Sequence, residues 1–309
     1  MISREPEYRP SLPAWDLRSS VRSRPRRVLS DGGELPLFYS PELTRPAGHK
    51  LVVDRGPDDV GELLTRKLYS YLDFTTVLEQ EIVNPVVLRL SRDAFGLKLS
   101  EEMRFDAHKI YCDEAYHALF SVDVKRQVES ISGVVAPTMA EPAFARTIRA
   151  LKTTLRPDLV DLCASVVSET LISGTLTQIP QDQRVAGFVR ETLADHAEDE
   201  RTHHAYFAQL MEIGWPQLDP ESQQLAGPVF ADLILAFLRP DLTAYRQMLT
   251  AMGFGERAAH AIVAESHPED ELLADVRRGA RATLGLLRRT GVLRSARTAD
   301  YFHLTGLLI

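Results

Sequence analysis

The chain of 309 residues is long enough for one large domain or two small ones, with a sizeable buried core. Its 44% hydrophobic and 26% charged residues are ordinary for a globular protein, and a net charge of −7 argues against a nucleic-acid partner, which needs a basic face. Two cysteines, Cys112 and Cys163, stand outside any CxxC pair; they exclude a disulfide framework and a thiolate zinc site and fit a reducing cytoplasm, and no apolar run approaches the roughly 20 residues that span a membrane.

The first residues, MISREPEYRPSLPAWDLRSSVRSRPRR, lack the apolar centre of a secretory signal. They carry seven arginines, as a transit peptide does, but Glu5, Glu7, Asp16 and several prolines argue against a continuous amphipathic helix. Residues 1–55 read as an irregular N-terminal arm lying on the body of the protein. Their polarity also fits a disordered tail, whereas Trp15, Leu37, Phe38 and Tyr39 favour docking. Residues 56–309 read as one helical domain.

Asp58 or Asp59 is placed to cap a helix that continues through GELLTRKLYSYLDFTTVLEQEIVNPVVLRL, with a kink near Glu79 imposed by Pro85. Ser100, followed by Glu101 and Glu102, starts a second helix that reaches about Ser130. A third covers about 141–154. Pro157 suits the first turn of a fourth, which ends before Pro180. A fifth runs from about Asp182 to Glu212 and stops at Gly214-Trp215-Pro216. Four or five shorter helices fill 220–305, broken near Pro240, Gly253 and Pro268. No stretch alternates with period two, so the fold class is all-α: a ferritin-like helical bundle with additional C-terminal helices.

A weak internal repeat runs through the bundle. Glu79 precedes the Glu of Asp113-Glu114-Ala115-Tyr116-His117 by 35 residues, and Glu169 precedes that of Asp199-Glu200-Arg201-Thr202-His203 by 31. Each half thus supplies a lone Glu and a later D-E-x-x-H, the ligand plan of carboxylate-bridged dinuclear bundles. Residues three and four apart share a helix face, so Glu114 projects with His117, and His196, Glu200 and His203 project together. Met103, Ala107, Ile110, Ser121, Val124 and Val128 share the first stripe; Val189, Leu193, Phe207 and Leu210 flank the second. Leu72, Val83 and Val86 bracket Glu79, and Val166 and Leu176 bracket Glu169. These acids therefore point into the core, where an unpaired carboxylate is costly.

No arginine or lysine stripe answers them. Two divalent ions would neutralise four glutamates, and mixed carboxylate and imidazole ligation suits iron or manganese. The arrangement would hold two ions about 3.5–4 Å apart, close enough to share dioxygen. A single E-x-x-H is common on solvated helices, and a lone core histidine is usually structural. Two D-E-x-x-H copies on apolar faces, each preceded by a core Glu, point instead to a metal site.

The segments LEQEIVNP, YCDEAYHALF, VSETLISG and ADHAEDERTHHAYF, within residues 60–210, resemble the p-aminobenzoate N-oxygenases and their arylamine-oxygenase relatives. That family is marked by a third histidine on the last ligand helix, here in His196-Glu200-His203. The resemblance implies seven metal ligands: Glu79, Glu114, His117, Glu169, His196, Glu200 and His203. It implies two iron ions, dioxygen as co-substrate, a homodimer, and oxidation of a small amine to hydroxylamine, nitroso or nitro products in natural-product biosynthesis. The chain shows no flavin or nicotinamide fingerprint, so an external electron donor is expected. Tyr111, Ser173 and Thr177 lie within two turns of these ligands and are candidates to line the pocket, and Gly174 could admit a close approach. The alternatives are a di-iron carbon hydroxylase or desaturase, a ferroxidase, or a bundle with a purely structural polar core. A radical-storing reductase subunit is disfavoured, since the position four after His117 is Ser121 rather than tyrosine.

Overall fold

The computed structural model describes residues 7–28, 36–138, 141–172 and 176–309, and within them the protein is helical. The main helices are α1 (Pro57–Val77), α2 (Asn84–Leu90), α3 (Glu101–Ser132), α4 (Ala143–Lys152), α5 (Pro157–Leu171) and α6 (Gly187–Gly214). Beyond them come α7 (Pro220–Leu238), α8 (Leu242–Ala251), α9 (Glu256–Ser266), α10 (Glu269–Gly279), α11 (Arg281–Arg289) and α12 (Ala296–Leu304). Among the described residues the only β-type pairing is an isolated bridge between Leu37 and Val185, and no helix is long and apolar enough to cross a membrane.

Four helices frame the centre. α1 packs along α3, α6 along α5, and α3 meets α6. α7 covers the outer side of α5, and α12 lies on α7. That last crossing is close: a Cβ on Gly227 would come within 2.1 Å of Thr298 Oγ1, so any side chain there would push the helices apart.

The helix termini follow local chemistry, with three departures from the sequence reading. α3 is capped by Ser100, whose side chain accepts from the Met103 N–H at 3.2 Å, and ends at the left-handed Gly133. α1 instead starts from Gly56, at φ 110°, and Pro57; Asp58 and Asp59 lie inside its first turn, where their charges complement the helix dipole. The kink near Glu79 is a π-helical turn over Leu78–Val83. Pro85 follows within the first turn of α2 and donates no N–H, so the wider turn accommodates the missing bond upstream.

The fifth predicted helix starts five residues late. Residues 182–186 are diverted because the Leu37 N–H donates to the Arg184 carbonyl at 3.2 Å and the Ala186 N–H to the Leu37 carbonyl at 2.8 Å. The region 220–305 holds six helices rather than four or five, with breaks at the expected Pro240, Gly253 and Pro268.

The arginine-rich segment near the N-terminus lies across the ends of α3 and α6. Arg26 pairs with Asp123 of α3 at 2.7 Å, while Arg24 and Arg27 pair with Glu198 and Asp195 of α6 at 2.7 and 2.8 Å. Each exposed pair contributes little alone. Together with buried Leu12, Phe38 and Tyr39 they hold the arm against the bundle.

Candidate metal centre

α1 and its π-turn, α3, α5 and α6 each send acids to one point. Glu79, Glu114, His117, Glu169, His196, Glu200 and His203 all have 0% exposure, and the apolar residues expected to flank them are buried too. Their ligating atoms fall into two overlapping groups. Glu79, His117, His196 and Glu200 form one; Glu114, Glu169, Glu200 and His203 form the other, with atoms of each group within 4.8 Å of one another.

Glu200 belongs to both groups, and Glu114 also spans them. Its Oε2 lies 2.8 Å from His117 Nδ1, and its Oε1 lies 2.8 Å from His203 Nδ1. His196 Nε2 sits 3.0 Å from Glu200 Oε1, and its ring centroid is 4.2 Å from that of His117. The third imidazole therefore enlarges the group containing Glu79.

Many of these atoms lack any hydrogen bond: both oxygens of Glu79, Glu114 Oε1, Glu169 Oε2, Glu200 Oε2, His196 Nδ1 and His203 Nδ1. The Glu114–His203 contact is short but not aligned as a hydrogen bond. Buried carboxylate oxygens without partners are expensive, and cations are what such a donor set is built to receive. Four carboxylates and three imidazoles, sharing two bridging acids, fit a pair of borderline-hard divalent ions.

A family model described as p-aminobenzoate N-oxygenase AurF matches residues 34–291. The chain belongs to the AurF family. No curated protein matches it. AurF-family proteins are di-iron oxygenases, and the buried Glu and His groups are compatible with a metal site of that kind.

The charges of the AurF-type cluster are arranged in opposed pairs. Burial, reinforced by Glu114, Glu200 and Glu169, pushes Glu79 well above the ordinary carboxyl range. Burial, with Glu200 and Glu114, does the same to Glu169. Glu114 and Glu200 resist that burial because His203 and His117 face both of them, and their pKa values are lowered. Burial is the largest single influence on His117 and His203 and opposes their charge, but Glu114, Asp199 and Glu200 together outweigh it at His117, and Glu114, Glu200 and Asp113 at His203; both stand well above the usual histidine value. Burial and the neighbouring His117 keep His196 low and neutral.

The structure adds two residues that the sequence reading left without a role. His117 Nε2 meets Asp199 at 3.1 Å, and His203 Nε2 meets Asp113 at 3.2 Å. Each D-E-x-x-H copy thus supports the histidine of the other copy, fixing ring orientation and proton position. The N-terminal arm closes both pairs from outside. Asp113 accepts from Trp15 Nε1 at 2.8 Å and from the Ser19 hydroxyl, and Asp199 accepts from the Ser20 backbone N–H at 3.2 Å. The repeated Asp before each Glu was visible in sequence; its crossed partner was not.

The pocket candidates fare differently. Tyr111 is 40% exposed on the outer face of α3 and does not line the site. Position 111 is one turn before Glu114 but falls on the edge of its stripe, on the side away from His117, where α3 faces outward. Thr177 is exposed, and Ser173 and Gly174 lie outside the described residues. Tyr71, Leu171 and Ile172 are among the residues lining a cavity of about 940 Å³. Burial raises the Tyr71 phenol above its ordinary value, and the charges of Glu79 and Glu200 add to that rise.

Proposed function

We propose that the chain is a non-haem di-iron N-oxygenase that oxidises the nitrogen of a small amine. Glu79, His117 and His196 would hold one iron, Glu169 and His203 the other, with Glu114 and Glu200 shared between them. The observation that carries this reading is the third imidazole: His196 adds a neutral donor beside a bridging acid in a chain of the AurF family. Two ferrous ions bound there would supply the electrons that activate dioxygen. The protein's part is to exclude water from a fully buried cluster, to orient two imidazoles through Asp113 and Asp199, and to present an amine from the cavity that Tyr71 helps to line.

Each two-electron turnover would place one oxygen atom on nitrogen and release the other as water, two electrons and two protons coming from outside. A separate reductant is therefore part of the proposal, as is a setting in natural-product biosynthesis in the cytoplasm. A second copy of the chain is the proposed partner, since Phe105, Tyr111, Leu119 and Val122 form an exposed stripe along α3, with Leu119 63% exposed. Sedimentation should then give twice the chain mass.

The direct test feeds arylamines to anaerobically iron-loaded protein, with reductant and ¹⁸O₂. N-oxidised products carrying ¹⁸O support the reading. Products hydroxylated at carbon, with the nitrogen untouched, would place the chain with the carbon-oxidising alternatives.

A further inference from the structure

The seven ligands are fully buried, so an external reductant cannot touch them and its electrons must cross protein to arrive. A hydrogen-bonded link carries an electron across protein far better than an open gap does. One such link leaves the cluster. His203 turns Nδ1 toward Glu114, 2.8 Å away in the ligand group that the two share with Glu169 and Glu200, and turns Nε2 toward Asp113 Oδ2 at 3.2 Å. That same oxygen accepts from Trp15 Nε1 at 2.8 Å. A single carboxylate oxygen therefore joins an imidazole at the cluster to an indole on the N-terminal arm.

The indole is the outer end of this chain. Asp113 is 1% exposed, whereas Trp15 is only partly buried and is followed by exposed Asp16, Leu17 and Arg18. The Arg22 guanidinium lies 5.7 Å from the centre of the Trp15 ring and pairs with Asp16 at 3.7 Å, in reach of solvent. The link thus runs from a fully buried ligand to the surface of the arm through one buried acid.

The internal repeat supplies the comparison. Asp199 meets His117 Nε2 at 3.1 Å, as Asp113 meets His203, but on its other side it accepts a peptide group, the Ser20 N–H, at 3.2 Å. Seating a histidine therefore needs no aromatic ring, and the indole on the first copy exceeds that task. The other aromatic pair beside the site does not offer the same continuity. Tyr206 meets Tyr8 of the arm edge-on, with ring centroids 6.0 Å apart, but its buried hydroxyl has no hydrogen bond among the described residues.

Resting on the di-iron reading above, we propose that Trp15, Asp113 and His203 form the entry route for reducing electrons, delivered at Trp15 by a one-electron donor of the iron–sulfur protein class. Each transfer oxidises the donor by one electron and reduces one ferric ion to ferrous. Two transfers supply the two electrons of a turnover, and the two protons come from solvent. The indole and the carboxylate conduct and are left unchanged.

The test follows the ferric absorption of iron-loaded, oxidised, full-length protein by anaerobic stopped flow, with reduced methyl viologen as the one-electron donor and no amine present. Trp15→Phe keeps a ring and removes the N–H; it should slow reduction at least about tenfold per bound iron. Its midpoint potential, read by redox titration, should stay at the wild-type value. Ser19→Ala removes the other arm side chain that donates to Asp113 without touching the indole, and it should be reduced close to the wild-type rate. An equal or faster rate in Trp15→Phe overturns the route, as does a wild type that the donor cannot reduce. Equal slowing in Ser19→Ala, or a shifted potential that accounts for the slowing, assigns Trp15 to seating Asp113 and overturns the route too. Because rates are taken per bound iron, a variant that loads incompletely still reports. The two readings fail separately. Slow reduction of Trp15→Phe without N-oxidised product from the wild type removes the N-oxygenase reading and leaves the route, whereas N-oxidised product with equal reduction rates removes the route alone.

Discussion

Replacing Asp113 with Asn changes one atom type at the edge of the cluster and should be felt at the metal. Asp113 is 1% exposed and accepts from Trp15 Nε1 at 2.8 Å, from the Ser19 hydroxyl, and from His203 Nε2 at 3.2 Å. Asparagine offers one accepting oxygen where the carboxylate offers two, and it turns an N–H₂ toward one of three donors. His203 then loses the charge that makes its inner nitrogen a strong ligand. Losses of this kind cost about 10–100-fold in metal affinity, or about 1.4–2.7 kcal/mol.

Anaerobic equilibrium titration with Fe(II) reads that loss, and tryptophan fluorescence follows the release of Trp15. Asp199→Asn is the matched control. It should weaken metal binding through His117 by a similar factor and leave the Trp15 signal in place, because Asp199 is held by the Ser20 backbone rather than by the indole. Wild-type affinity in both variants, with helicity retained, would mean that the aspartates only seat the arm and that the crossed Asp–His pairs do not tune the centre.

Metal loading should release protons. In the empty site Glu79 and Glu169 hold theirs and His117 and His203 are charged, so two divalent ions displace up to about four protons per chain near neutral pH. Calorimetry in buffers of different ionisation enthalpy counts them. The sign follows: affinity falls as pH falls, and a pH-independent affinity would contradict the protonation pattern. His196→Ala should keep most of the iron, because six ligands remain, and lower amine oxidation on the order of 10–100-fold. Glu114→Ala, by removing a charge shared by both groups, should lose metal itself; iron analysis and product assays on the pair separate the two roles.

The ligand faces were legible because helical geometry alone decides them. Once Glu114 and His117, or His196, Glu200 and His203, sit on an apolar stripe, their direction is fixed before any tertiary contact forms. The partition of those residues was not legible. The repeat pairs Glu79 with Glu114 and His117, whereas the structure groups Glu79 with His117, His196 and Glu200 and gives Glu114 to the set containing His203. That exchange, like the crossing of Asp113 to His203 and Asp199 to His117, depends on how α3 meets α6.

Local signals also placed most helix ends but failed where a distant strand-like contact intervened, as at Leu37 and Val185. Pro85 announced a disturbance without saying that it would take the form of a π-turn carrying Glu79. Trp15 marked the arm as a docking segment, yet its seat on Asp113 required the fold.

If the seven buried residues hold two iron ions between α1, α3, α5 and α6, anomalous diffraction at the iron edge from crystals of the iron-loaded protein will locate them. Two peaks per chain are expected about 3.5–4 Å apart, one beside Glu79, His117 and His196 and one beside Glu169 and His203, with Glu114 and Glu200 between them. A single peak, or none within reach of those side chains, would contradict that assignment.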